Sequence, residues 1–156
     1  MLHTHLSLKL SLLMKKTYAH IEDLLLSGKS ILLFDGVCNM CDGFVQFILK
    51  KDRTGKFVFV SLQSEIGHYL LEQYRLSKEL RTVVLIDKDR SYTQADVPLL
   101  IGQQLGGWLK ITYVGWFIPR FMRNGIYNII AANRYRIFGK KEQCIVPKPE
   151  WRHRFL

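Results

Sequence analysis

Hydrophobic residues in the first half of the chain follow two different patterns. The continuous apolar run 31–34 is typical of a strand that is covered on both faces of a sheet. Residues 57–60 have a strong β preference and predict a second strand, and residues 82–86 predict a third. Between the runs, apolar residues recur at helical spacing over 41–49 and 64–76, which predicts two helices. The order strand, helix, strand predicts a right-handed parallel unit at the centre of the fold.

The middle of the chain predicts a returning strand and a further helix. Residues 87–90 are polar and mark a turn, so residues 91–94 are expected to run back as an antiparallel edge strand. Helical spacing resumes over 95–105 and ends at Gly106-Gly107. The whole pattern predicts an α/β fold in which helices flank a mixed sheet.

The last third of the chain is first apolar and aromatic and then helical. The stretch 108–117 contains Lys110 and is far shorter than the ~20 residues of a membrane-spanning helix, so we expect a buried or interfacial segment. Pro119 is expected to open a long helix that ends at Gly139, with its arginines mainly off the apolar face. That face comprises Met122, Ile126, Ile129, Ile130, Asn133 and Ile137.

Two cysteines lie where the first predicted strand gives way to the first of these helices. Asp35 and Gly36 break the apolar run, and Cys38 and Cys41 follow at a spacing of three. This spacing places both side chains on one helical face, about 5–6 Å apart at Cβ. A disulfide needs about 3.8 Å between the same atoms, so it can close and reopen with a small adjustment. We interpret the pair as a dithiol redox centre.

The two cysteines are expected to have different roles. Cys38 lies at or before the first helical turn, where unpaired backbone N–H groups and the helix dipole favour a thiolate. Because the thiolate is the attacking form in disulfide exchange, Cys38 is the predicted nucleophile. Cys41, one turn deeper, is predicted to resolve the mixed disulfide.

The cysteine motif and the C-terminal third resemble a known family. The pattern Asp35-x-x-Cys38-x-x-Cys41, the stretch 93–105 and the segment 133–139 are similar to the DCC family of thioredoxin-like, predicted thiol–disulfide oxidoreductases. The resemblance implies a thioredoxin-like mixed sheet with Cys38 and Cys41 as the redox pair. The substrate would be a protein or small-molecule thiol or disulfide, and no cofactor is expected besides the Cys38–Cys41 disulfide itself.

One feature of ordinary thioredoxins is missing. They place a cis-proline opposite the active site, immediately before the third strand in this order, where it lines the substrate groove. Here that position falls around 81–82, and no proline lies nearby.

Asp35 has two interpretations of similar weight. At the end of the first strand it is within reach of the dithiol, so it is a candidate base that takes the proton from Cys41 during resolution. The alternative is structural, with the carboxylate accepting hydrogen bonds from backbone N–H groups of the turn.

Two functions of other classes compete with the redox hypothesis. Cys38 and Cys41 supply two of the four ligands of a structural zinc site, which Cys144 with His68 or His153 would have to complete. No second paired motif supports this, so no metal site is predicted. The other alternative is an interaction module that keeps the dithiol without catalysis and uses a basic tail.

Charge is concentrated in that tail. The net charge is +10, and residues 108–156 carry ten Lys and Arg against two Glu. The simplest interpretation is a solvated basic face, and the alternative is a surface for an anionic partner. No nucleic-acid motif accompanies the charge, so nucleic acid is not an expected partner. Contact with a membrane surface is a minor alternative, and the oligomeric state is open.

The chain length and the N-terminus bear on domains and location. We divide the chain into an N-terminal extension (1–29), a thioredoxin-like core (30–107) and a basic helical extension packed on the same domain (108–156). Within the first part, 1–13 is treated as a possible start-site artefact, and a short helix is expected over 19–26. A compact dithiol without a recognisable secretion signal indicates a cytoplasmic protein.

Overall fold

The computed structural model describes residues 15–77, 82–140 and 147–156. Its centre is a four-stranded sheet in the order β2-β1-β3-β4. Strands β1 and β2 are parallel, β3 is antiparallel to β1, and β4 is antiparallel to β3. The strands are β1 (Ser30–Phe34), β2 (Phe57–Ser61), β3 (Val84–Asp87) and β4 (Arg90–Thr93).

Helices flank the sheet, and a long helix follows the last strand in the chain. The predicted thioredoxin-like mixed sheet with a C-terminal helix is therefore confirmed. The described residues form five α-helices and two 3-10 segments. The helices are α1 (15–26), α2 (Asn39–Lys51), α3 (Glu65–Gln73), α4 (Asp96–Leu105) and α5 (Arg120–Phe138). The 3-10 segments are Gly107–Phe117 and Pro149–Arg154.

The strands have continuous apolar runs because both faces of the sheet are covered. Alternate residues of a strand point to opposite faces, so Leu32 joins one buried cluster and Ile31 joins the other. The first cluster packs against α2 and α4 through Val45 and Ile101. The second packs against α1 and α3, where Leu70 is buried.

Several predicted boundaries shift by a few residues. The N-terminal helix includes residue 15 rather than starting at 19, and α3 ends at Gln73. Strand β3 begins at Val84 rather than at Thr82, whose hydroxyl instead lies 2.5 Å from the hydroxyl of Tyr127 on α5.

The segment expected to be buried or interfacial, 108–117, is largely exposed. It forms the first 3-10 segment, in which Leu109 is buried, whereas Trp108 and Phe117 are 71% and 85% exposed. Its contacts are mainly with α4: Gly115 approaches Leu99, and the Thr112 hydroxyl donates to the Leu99 carbonyl at 3.4 Å.

Helix α5 has the predicted apolar face, but this face points to solvent. Met122, Ile126, Ile129, Ile130 and Ile137 are each more than 40% exposed. The arginines expected off that face include two that are buried, Arg123 and Arg134. Arg123 pairs with Asp96 at 3.1 Å, and Arg134 pairs with Asp35 at 2.7 Å. These two ion pairs tie the polar side of the helix to the core.

The C-terminus is attached to the sheet on the β2 side. The guanidinium of Arg154 forms a buried ion pair with Asp52, and its Nε donates to the Phe57 carbonyl at 2.7 Å. The backbone N–H of Leu156 donates to the carbonyl of Phe59 at 3.0 Å. The last residues therefore close the core at the end of α2 and the start of β2.

Candidate active site

The dithiol lies at the junction of β1 and α2, as the sequence predicts. Strand β1 ends at Phe34, and Cys38 is the N-cap residue of α2 with an extended backbone conformation (φ −91°, ψ 120°). No side chain caps this helix end, so its N-terminal N–H groups are directed at the cysteine region. Cys41 lies one turn further along the helix.

Both thiols are buried and free. Cys38 is 0% exposed and Cys41 is 2% exposed. Burial and interaction with Cys38 raise the pKa of Cys41 to about 12, while the positive charge of Arg134 opposes this shift. The two side chains therefore lie close enough to interact directly, and Cys41 keeps its proton at neutral pH.

Asp35 is at the centre of a buried polar network. Its carboxylate accepts hydrogen bonds from the Val37 N–H at 3.2 Å and the Gln63 amide at 2.9 Å. It also accepts from Arg134 at 2.7 Å and from the hydroxyl of Tyr135. Burial alone would raise the pKa of Asp35, but these donors and the Arg134 charge together lower it.

This network contains the backbone contact expected of a structural Asp35. The Val37 N–H bond closes the turn between β1 and the dithiol. The four donors to the carboxylate also hold it in its ionised form. The base role of Asp35 stays a prediction.

Arg134 and Tyr135 are site residues that sequence reasoning did not single out. They lie 99 and 100 positions from Asp35, and helical periodicity placed Arg134 only off the apolar face of α5. The one available signal is that both belong to the 133–139 segment that carried the family resemblance.

The end of α5 lies beside the dithiol. The side-chain amide of Asn39 donates to the Phe138 carbonyl at 2.8 Å. Cys38 and Lys140 form an isolated antiparallel bridge, which brings the residues after α5 directly alongside Cys38. Because Cys38 is fully buried, a substrate can reach its sulfur only after a local opening, and we expect the end of α5 to take part in it.

A cavity of about 270 Å³ lies beside the network. Thr82, near the sequence position at which ordinary thioredoxins have a proline, is one of its lining residues. The described residues contain no cis peptide bond. The lining residues are Thr82, Gln94, Tyr127, Asn128, Ala131, Ala132, Arg134 and Tyr135.

The residues proposed as further metal ligands do not gather at the dithiol in the described part of the chain. No group of three or more His, Cys, Asp or Glu suited to a metal ion occurs among residues 15–77, 82–140 and 147–156. His68 is exposed on α3. Cys144 lies outside the described residues, so its position is not part of this comparison.

The fold and the site define a class: a thioredoxin-like α/β protein with a Cys-x-x-Cys pair at a helix N-terminus. The model of the DCC1-like thiol-disulfide oxidoreductase family matches residues 32–140, which include both cysteines, Asp35 and Arg134. The chain belongs to this family.

Two relatives support the assignment and leave the activity open. The uncharacterized protein YuxK of Bacillus subtilis (strain 168) is 40% identical over 127 residues, covering 81% of this chain and 93% of the relative. A DCC family protein of Arabidopsis thaliana, named as chloroplastic, is 36% identical over 132 residues, covering 83% of this chain and 75% of the relative. No solved structure matches the chain.

Proposed function

We propose that this protein is a thiol–disulfide oxidoreductase in which Cys38 attacks and Cys41 resolves. The observation that carries the proposal is the asymmetry of the pair. Cys38 is the N-cap of α2, where the helix dipole favours negative charge. Cys41 has a pKa raised to about 12, which disfavours it as the first nucleophile.

The reaction transfers two electrons from the dithiol to a disulfide. The thiolate of Cys38 attacks one sulfur of the substrate disulfide and releases the other as a thiolate. Cys41 then loses its proton and attacks the sulfur of Cys38. This step forms the Cys38–Cys41 disulfide and releases the second substrate thiolate. The reverse sequence oxidises a substrate dithiol.

The pKa of Cys41 is suited to this order of events. The negative charge of Cys38 and the hydrogen bond between the two sulfurs are two of the causes that raise it. Both are lost when Cys38 is bound in a mixed disulfide, while the opposing charge of Arg134 remains. The pKa of Cys41 should therefore fall at the stage at which it must attack.

Asp35 assists resolution, either by accepting the Cys41 proton or by positioning Arg134. Its lowered pKa keeps it ionised at neutral pH, which makes it available but a weak base. In single-turnover kinetics, Asp35→Asn should slow resolution more than the initial attack. Unchanged kinetics would exclude both roles.

The proposal is tested by trapping the intermediate. Cys41→Ser should accumulate a mixed disulfide on Cys38 with a small disulfide such as oxidised glutathione, detected by peptide mass mapping. Cys38→Ser should abolish disulfide reduction, whereas Cys144→Ser, which changes the third thiol, should retain it. Equal activity in Cys38→Ser and the wild type would refute the proposal. Stoichiometric zinc in the reduced protein would favour the metal-binding alternative.

The cytoplasm is the proposed location, because a free dithiol is maintained in a reducing compartment. A reporter fusion of the full chain tests this. Signal in an oxidising compartment would contradict it.

A further inference from the structure

Helix α5 and the first 3-10 segment present an unusually apolar surface to solvent. We call the exposed apolar residues of 108–138 the outer face. Seven of its side chains are at least 60% exposed: Trp108, Ile111, Val114, Phe117, Phe121, Ile129 and Ile137. Monomeric soluble proteins rarely leave so many large apolar side chains together in water, so the outer face needs a partner.

The outer face is continuous rather than a set of scattered side chains. An apolar groove of about 230 Å³ joins the two elements, with Ile118 at the end of the 3-10 segment and Ile126 and Ile130 on α5 among its lining residues. Leu99 of α4 forms another part of its wall.

The orientation of the outer face is fixed by the fold. Arg123 and Arg134 anchor the opposite side of α5 through their ion pairs with Asp96 and Asp35. Rotating the helix to bury its isoleucines would break both pairs. The apolar side is therefore held outward by two ion pairs, one of which, Arg134–Asp35, belongs to the candidate active site.

The charge around the outer face identifies the partner. Positions 108–140 contain six Lys and Arg and neither Asp nor Glu. Four of these cations lie at the surface: Lys110, Arg120, Arg136 and Lys140, of which Arg120 also pairs with Asp96 at 2.8 Å. A second copy docked through the same face would bring two cationic, acid-free surfaces together, which is unfavourable. An anionic surface with an apolar interior matches both features.

We propose that the outer face docks on an anionic lipid bilayer, with α5 lying in the interface plane. Aromatic and aliphatic side chains on one side with Lys and Arg nearby are typical of interfacial membrane helices. Trp108, Trp116 and Phe117 are residues of the kind found at the headgroup level. No helix among residues 15–77, 82–140 and 147–156 is long and apolar enough to cross a membrane. The contact is therefore peripheral.

The test is co-sedimentation of the full chain with vesicles. Vesicles of phosphatidylcholine mixed with phosphatidylglycerol should bind the protein, and vesicles of phosphatidylcholine alone should bind it at least about tenfold more weakly. Raising the salt concentration should weaken the binding. Equal binding to both vesicle types, or no binding to either, would overturn the proposal. Self-association in sedimentation velocity without vesicle binding would assign the outer face to a second copy.

Matched variants locate the contact. Phe117→Ser removes an apolar side chain that is 85% exposed on the outer face, and Leu26→Ser removes one that is 85% exposed on α1. Phe117→Ser should lower the vesicle affinity about tenfold, and Leu26→Ser should not change it. Equal losses in the two variants would overturn the assignment of the surface.

The charge contribution has its own pair of variants. Arg136→Gln, on α5, should lower the affinity for the anionic vesicles about fivefold. Lys50→Gln, an exposed position on α2, should leave it unchanged. The proposal fails if Lys50→Gln has the larger effect.

Discussion

The burial of Cys38 gives a quantitative prediction about Asn39. The Asn39 side chain donates to the carbonyl of Phe138 at 2.8 Å and thereby ties the start of α2 to the end of α5. A neutral hydrogen bond of this kind contributes about 0.5–1.5 kcal/mol. We expect Cys38 to react when this contact opens, so Asn39→Ala should raise the open population by about 2- to 12-fold.

The measurement is the alkylation rate of Cys38 in the reduced native protein. Iodoacetamide labelling is followed peptide by peptide, so that Cys38 is separated from the other thiols. When opening and closing are fast relative to labelling, the rate follows the open population. Asn39→Ala should therefore label Cys38 about 2- to 12-fold faster than the wild type.

Asn133→Ala is the matched control. Asn133 makes the same type of bond at the same length, to the Ile129 carbonyl 2.8 Å away, but within α5 and away from α2. It should leave the Cys38 rate close to that of the wild type. If Asn39→Ala and Asn133→Ala label alike, the end of α5 does not control access to the nucleophile.

Three further predictions concern the buried ion pairs. Arg154→Met leaves Asp52 buried without its ion-pair partner and should lower the free energy of unfolding by about 3 kcal/mol. The control Arg152→Met, at an exposed position, should change this free energy by less than about 0.5 kcal/mol. Urea unfolding of the two variants measures the difference. Arg134→Met should raise the pKa of Asp35, which NMR titration of its carboxyl carbon follows, and an unchanged pKa would contradict the assigned pairing. Burial raises the pKa of Asp52, but N–H donors and Arg154 lower it below 3.8. As the pH falls, Asp52 is protonated in the unfolded state before it is protonated in the folded state. Its contribution to the free energy of unfolding should therefore be fully present above the pKa of the unfolded state and be lost as the pH drops through the pKa of the folded state. Asp52→Asn should flatten this pH dependence.

The sheet and the start of α2 could be predicted from the sequence because their signals are local. The apolar run of β1 and the cysteine spacing indicate a strand, a turn and a helix within a dozen residues. The strands are covered on both faces, so each residue of the run is buried and the pattern has a single interpretation.

The orientation of α5 could not be predicted in the same way. Helical periodicity shows which residues share a face, but it does not show which face packs on the core. That choice depends on Asp35 and Asp96, which lie far away in the chain and make the burial of Arg134 and Arg123 favourable. A rule that places isoleucine inside and arginine outside gives the wrong answer here.

The relative positions of the two cysteines and Asp35 could be predicted from the sequence, whereas the residues around them could not. Cys38, Cys41 and Asp35 lie together as their spacing indicates. The position of the end of α5 beside Cys38 depends on a contact between Asn39 and Phe138, 99 positions apart, and nothing near the motif indicates it.

The most direct test of the account is whether Cys38 and Cys41 exchange electrons reversibly in the native protein. The reduced protein is equilibrated with defined mixtures of reduced and oxidised glutathione, quenched with acid, and mapped by mass spectrometry. We predict a Cys38–Cys41 disulfide that forms and disappears with the glutathione ratio. If both thiols stay unreacted under native conditions across that range and react only after denaturation, the account is contradicted.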